Sequence, residues 1–137
     1  MSREKLKHRE MTDVISRLFY KHVYHNLAYG FLEKVYENAL AFELQRNGLK
    51  VERQYKIDVY YEGVIVGEYF ADLVVERKVI LELKAVNQIL PQHEAQLLNY
   101  LRATEFEVGL LLNFDPKPVH RRKVYDNDRK KITWKPQ

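Results

Sequence analysis

The stretch FADLVVERKVILELKAV, from Phe70 to Val86, decides how the chain is to be read. Two apolar runs rich in β-branched residues, Phe70 to Val75 and Val79 to Ala85, flank the polar insert Glu76-Arg77-Lys78. Such runs suit pleated, buried strands, and the insert suits a hairpin turn. Asp72 interrupts the first run, and Glu82 and Lys84 interrupt the second. Successive strand side chains take opposite faces, so Glu82 and Lys84 share one face and Leu81 and Leu83 the other. A hairpin symmetric about Arg77 sets Asp72 directly opposite Glu82, with Cβ atoms roughly 4.5–5.5 Å apart. Carboxylates that close repel unless a cation stands between them, and a divalent metal together with Lys84 would supply it. Alternation also describes half-buried strands whose charges sit in water. Here the runs read as interior strands, where unpaired charge is costly, which favours an active site over a solvated face.

With 137 residues the chain is read as one domain, 1–137, able to bury a single core. It has no cysteine, which removes disulfides and thiolate metal sites and fits a reducing, cytoplasmic setting. No apolar run nears the roughly 20 residues that cross a bilayer, so no membrane partner is expected. The charged start MSREKLKHRE does not resemble a secretory signal. The formal charge of +4 is unevenly spread: residues 117–137 carry a net +6, residues 1–10 a net +2 and residues 11–116 a net −4. Basic termini around an acidic middle suit a protein that grips a polyanion beside a carboxylate-lined site. Arg121, Arg122, Lys123, Lys130 and Lys131 are the nucleic-acid-binding candidates of that basic tail.

Thr12 or Asp13 is placed to cap a first helix with Val14, Ile15, Leu18, Phe19 and Val23 on its apolar face. Asn26 to Gly30 breaks it, and a second helix is expected from about Phe31 to Asn47. Its buried stripe would hold Leu32, Val35, Tyr36, Ala39, Leu40 and Leu44, with Gly48 as stop. Strands follow at Val51–Tyr61 and from Val64 towards Asp72, joined by Glu62-Gly63. Together with Val79–Ala85 they form an antiparallel meander. Pro91 opens a helix with Ala95, Leu98 and Leu101 inward and Leu97 flanking, while Gln96 and Tyr100 project together four residues apart. Phe106–Phe114 is a strand buried on both faces, and a short strand is expected around Lys131–Trp134. The order α-α-β-β-β-α-β predicts an α/β fold, a mixed sheet flanked by helices.

Asp72, then Glu82-Leu83-Lys84, then a helix carrying Gln96 and Tyr100, resembles the PD-(D/E)XK nuclease superfamily, in the branch of RecB-like and phage exonucleases. Gly30-Phe31-Leu32-Glu33-Lys34-Val35-Tyr36 resembles the GxxExxY signature of a family within it. His93 to Leu101 and Gly109 to Phe114 look like the same family, so the resemblance spans about 12–125. Ala71 stands where the superfamily has a proline before its aspartate.

The resemblance implies a restriction-endonuclease-like core and hydrolysis of phosphodiester bonds, with DNA preferred to RNA. It implies Mg2+, or Mn2+ as substitute, held by Asp72, Glu82, the Leu83 backbone carbonyl and Glu33. Lys84 would orient the attacking water and offset phosphate charge, with Gln96 and Tyr100 positioning the reacting groups. Two other readings share the fold: a non-catalytic nucleic-acid-binding module, and a structure-specific junction resolvase. Either is compatible with a homodimer or a protein partner.

Overall fold

The computed structural model describes residues 7–131, and among them three helices pack on a five-stranded mixed sheet. Helix α1 (Arg9–Leu18) runs on through a π-helical stretch, Phe19–Tyr24, to a last turn at His25–Leu27. Helix α2 spans Glu33–Arg46 and α3 spans Pro91–Arg102. The strands are β1 (Val51–Tyr61), β2 (Val64–Val75), β3 (Val79–Lys84), β4 (Val108–Asn113) and β5 (Val119–Val124), adjacent in that order. The α/β fold read from the sequence is the one observed.

β1, β2 and β3 form the expected antiparallel meander. Glu62 and Gly63 join the first pair, and Glu76 and Arg77 turn the second, all four with positive φ. Consecutive positive φ values mark the primed turns whose twist matches two paired strands. Val75↔Val79, Val74↔Ile80 and Leu73↔Leu81 pair symmetrically about Arg77. Helix α3 then carries the chain across one face of the sheet, and β4 runs parallel to β3. Every residue of β4 is buried, as its apolar run Val108–Leu112 requires, and Asn113 is buried with it.

Helices α1 and α2 cover one face, packing Ile15, Phe19, Tyr36 and Leu40 against Leu73, Leu81, Leu83 and Leu110. Helix α3 covers the other, packing Leu97, Tyr100 and Leu101 against Val74, Ile80 and Leu111. The outer half of the β1–β2 hairpin changes sides. Val51 and Leu73 belong to the first core, whereas Tyr55, Ile57 and Ala71 belong to the second, although all are odd-numbered. The reversal occurs at Gln54, whose φ of 49° breaks the strand's alternation.

Several details differ from the sequence reading. Helix α1 starts three residues before Thr12, whose hydroxyl donates to the Arg9 carbonyl at 3.1 Å from inside the helix and caps nothing. Leu32 is 82% exposed and Val35 38% exposed, because α2 is rotated so that Tyr36, Glu37, Leu40, Ala41 and Leu44 face inward. Tyr36 sets that rotation. Its ring stacks on Phe114 at 4.0 Å, and its hydroxyl donates to the Ala28 carbonyl and accepts the Phe31 N–H. On α3, Leu97 and not Ala95 or Leu98 is fully buried, since it fills the space over Gly109. A fifth strand, β5, lies where only a basic tail was expected, pairing antiparallel with β4. The strand expected at Lys131–Trp134 falls outside the described residues beyond its first position.

A Cβ at Gly109 would come within 2.7 Å of the Leu97 side chain, so the α3–β4 contact depends on glycine there. Gly109→Ala is expected to destabilise the fold by about 1–3 kcal/mol in urea unfolding, the usual cost of overpacking. Leu97→Val in the same chain should recover part of that loss, and strictly additive effects would contradict the contact.

Candidate active site

Ladder pairing between β2 and β3 stops at Leu73↔Leu81, and side chains take over where the strands part. The Asp72 N–H donates to Glu82 Oε1 at 3.0 Å, and the Leu83 N–H donates to Asp72 Oδ2 at 2.8 Å. Each carboxylate thus satisfies a backbone donor of the opposite strand, which holds open a notch between them. The Lys84 carbonyl accepts the Phe114 N–H on the β4 side. Carbonyls alternate along a strand, so that of Leu83 turns towards the notch.

Glu82 is only 4% exposed, and its carboxyl is pushed up to about 8 by burial and then by the neighbouring Asp72 charge. Asp72 is raised as well, chiefly by burial, against the lowering effect of the Leu83 N–H. Burial without a cation favours the protonated form of both groups.

Three further side chains close one side of the notch. Lys84 Nζ donates to Gln96 Oε1 at 3.5 Å, and Gln96 Nε2 donates to the Tyr100 hydroxyl oxygen at 3.1 Å. The hydroxyl's own proton is left to point elsewhere. Tyr100 is pushed up to about 12 by burial and by the charges of Glu82 and Asp72, so it remains a neutral donor near the carboxylates. Asn113 fixes the exit of β3, its amide accepting the Val86 N–H at 3.0 Å and donating to the Val86 carbonyl at 2.9 Å.

Helix α2 closes the other side. Glu33 is exposed in its first turn, and its charge acts at longer range to raise both Asp72 and Glu82. Among the described residues, no three His, Asp or Glu side chains cluster closely enough to hold a metal as a group. Glu33 thus faces the carboxylate pair from the exposed start of α2 and reaches it through charge.

The sequence reading missed Glu37 and Gln54. Glu37 is 4% exposed and accepts from Lys34 Nζ (2.9 Å), an Arg53 guanidinium nitrogen (2.9 Å) and Gln54 Nε2 (2.7 Å). These donors hold its carboxyl below the ordinary range despite burial. Gln54 lies opposite Asp72 and also lowers that carboxyl's pKa by hydrogen bonding. A left-handed φ on a non-glycine strand residue costs about 1–3 kcal/mol and is found where function constrains the backbone. Alternation cannot reveal such a residue. Glu37 could have been noticed as a charge on the helix stripe beside Tyr36.

The basic candidates separate. Arg121 is exposed on β5, and Lys131 is exposed at the end of the described chain. Lys123 pairs with Glu94 at 2.7 Å, and Arg122 donates to the Lys7 carbonyl. Lys130 donates to the Thr104 and Phe106 carbonyls at 2.8 and 2.6 Å. These last three stitch the tail to the domain.

The donor set in the notch fits a hard divalent cation. Asp72, Glu82 and the Leu83 carbonyl offer oxygen only, and Mg2+ needs few protein carboxylates because it keeps water and binds phosphate. The raised proton affinity of a buried carboxylate pair is what a dication would relieve.

No protein of curated function matches the chain. The solved structure of SSO0001 aligns with a TM-score of 0.54 at 19% identity, covering 68% of this chain and 50% of that one. The chain thus spans half the length of that protein. An alkaline exonuclease from Laribacter hongkongensis aligns with a TM-score of 0.52 at 14% identity, covering 85% of this chain and 70% of that one. At these identities the likeness is one of fold. The model of the PD-(D/E)XK nuclease superfamily matches residues 9–124, from α1 to the end of β5, and the chain belongs to that superfamily.

Proposed function

We propose that the chain is a Mg2+-dependent nuclease that hydrolyses phosphodiester bonds in DNA, within the GxxExxY branch of its superfamily and acting in the cytoplasm. The observation that carries this reading is the open notch, where Asp72 and Glu82 face each other beside Lys84. A binding module without catalysis would need cations for phosphate, and neutral amides would accept the same two backbone N–H groups without burying a pair of like charges.

Asp72, Glu82 and the Leu83 carbonyl would hold the ion, with Mn2+ an adequate substitute and Glu33 adding negative charge from the cleft mouth. When bound, Mg2+ would polarise the scissile phosphate and acidify a water. The remaining work falls to the chain. Lys84 holds its ammonium towards the reacting oxygen, aligned by Gln96, and offsets charge growing on the phosphate. Tyr100 holds the Gln96 amide in one orientation. Water attacks phosphorus and one P–O bond breaks, leaving a phosphate on one fragment and a hydroxyl on the other. Arg121 and Lys131 are the tail groups exposed for phosphate contact, and Lys123 is within reach once Glu94 releases it.

Asp72→Asn keeps size and most hydrogen bonding but removes a charge. It is expected to lower cleavage of DNA with Mg2+ or Mn2+ by orders of magnitude while leaving metal-free DNA affinity equal or higher. Lys84→Ala should abolish cleavage with little change in metal affinity. Wild-type protein that cleaves neither single-stranded, duplex, flapped nor branched DNA with either ion would sink the enzyme reading.

A pH dependence follows from Glu82. Its folded pKa of about 8 lies above the ordinary 4.5, so the folded state keeps a proton that the unfolded state releases. Metal-free stability should therefore fall as pH rises from about 4.5 to about 8 and level off above, with a limiting slope of about 1.4 kcal/mol per pH unit. Glu82→Gln should remove this fall in thermal melts run in EDTA. An unchanged pH profile in that variant would show that Glu82 is not the group.

A further inference from the structure

Between the outer half of the β1–β2 hairpin and helix α3 lies a cavity of about 560 Å3 that the proposed chemistry does not use. Its inner end is formed by Gln96 and Tyr100, the two side chains that also bound the notch. Val59, Val66 and Tyr69 line it from the hairpin, and Gln92, Asn99 and Arg102 from the helix.

The hairpin wall has two local irregularities. Val59 pairs with Gly67 but Tyr60 pairs with Ile65, so Val66 is an extra residue, a β-bulge, and it borders the cavity. Bulges re-aim side chains beside functional sites. Next to it, Gly67 lets the Tyr69 ring lie back across the strand, since a Cβ there would meet the ring at 3.1 Å. Tyr69 is left 48% exposed, with its ring centroid 5.8 Å from that of Tyr100. The helix wall sets the polar Gln92, Gln96, Asn99 and Arg102 among Ala95 and Ala103, and Arg102 donates to Asn99 Oδ1 at 3.0 Å, which orients the Asn99 amide.

One wall therefore offers a flat aromatic and aliphatic face, and the other offers amides and a cation. A nucleobase has that same division, with apolar faces and a hydrogen-bonding edge. Stacking on Tyr69 while the edge meets the helix amides requires a base whose face and edge are both free. In duplex DNA neighbouring pairs cover the faces and the partner strand takes the edge. We propose that the cavity receives an unpaired nucleobase adjoining the scissile phosphate, so that the site selects single-stranded DNA. This rests on the nuclease reading above, and it adds the strand state that the site selects.

The test uses the full chain in EDTA, so that binding is read without cleavage. Fluorescence anisotropy would compare a short single-stranded oligodeoxynucleotide with its blunt duplex, and a 2-aminopurine in the single strand would report stacking. Wild-type protein should prefer the single strand and quench the 2-aminopurine. Tyr69→Ala, which removes the platform, and Ala95→Trp, which fills the cavity from an exposed helix position, should each weaken single-strand binding about fivefold or more and relieve quenching. Duplex binding should not change, Tyr69→Phe should behave as wild type, and thermal melts should show all three variants folded. Equal affinity for both DNA forms, or pocket variants that leave single-strand binding intact, would overturn the inference while sparing the nuclease reading. Loss of self-association in these variants with DNA binding intact would also overturn it, assigning the cavity to a second copy of the chain. No binding of either DNA would count against the nuclease reading itself.

Discussion

Where β2 leaves β3, two backbone N–H groups lose their strand partners, and two carboxylates answer them. Asp72 takes the Leu83 N–H, and Glu82 takes the Asp72 N–H. A buried backbone donor without a partner costs about as much as a lost hydrogen bond, so the parting of the strands depends on these acidic side chains. The exchange also brings two like charges together in a poorly solvated place. Stability and chemistry are joined at this point: the acceptors that let the sheet open are the ligands proposed for the cation.

The surrounding elements hold that arrangement. Gln54 turns the outer hairpin over opposite Asp72, and its amide links Asp72 to the buried Glu37 of α2. Tyr36, one residue before Glu37, anchors the loop that starts α2 and so places Glu33 at the cleft mouth. The tyrosine of the GxxExxY-like stretch thus acts through packing, whereas its glutamate acts through charge. On the other side, Leu97 over Gly109 fixes α3, which brings Gln96 to Lys84 and leaves the cavity beside them.

Much of this could be read from the chain because its strands have short-range signals. The primed turns at Glu62-Gly63 and Glu76-Arg77 set the register, and the register brings Asp72 beside Glu82. The unbroken apolar run of β4 marked a fully buried strand. What escaped depends on contacts distant in sequence. The rotation of α2 is set by Phe114 beneath Tyr36, and that of α3 by the gap at Gly109, neither visible in helical periodicity. β5 was hidden because Arg121, Arg122 and Lys123 read as a basic tail reaching for phosphates, although an edge strand carries such charges readily. The left-handed Gln54 has no sequence signal at all, since the partner of its amide, Glu37, is distant in the chain.

The central claim is that the Asp72–Glu82 notch is built for a divalent cation, and thermal unfolding at pH 8 with and without Mn2+ tests it most directly. A ligand that binds only the folded state raises the melting temperature with its concentration. The account predicts such a rise for the wild-type chain and its loss in Asp72→Asn, whose fold should stay intact. A melting temperature indifferent to Mn2+ in the wild-type chain, or an equal rise in the variant, would contradict it.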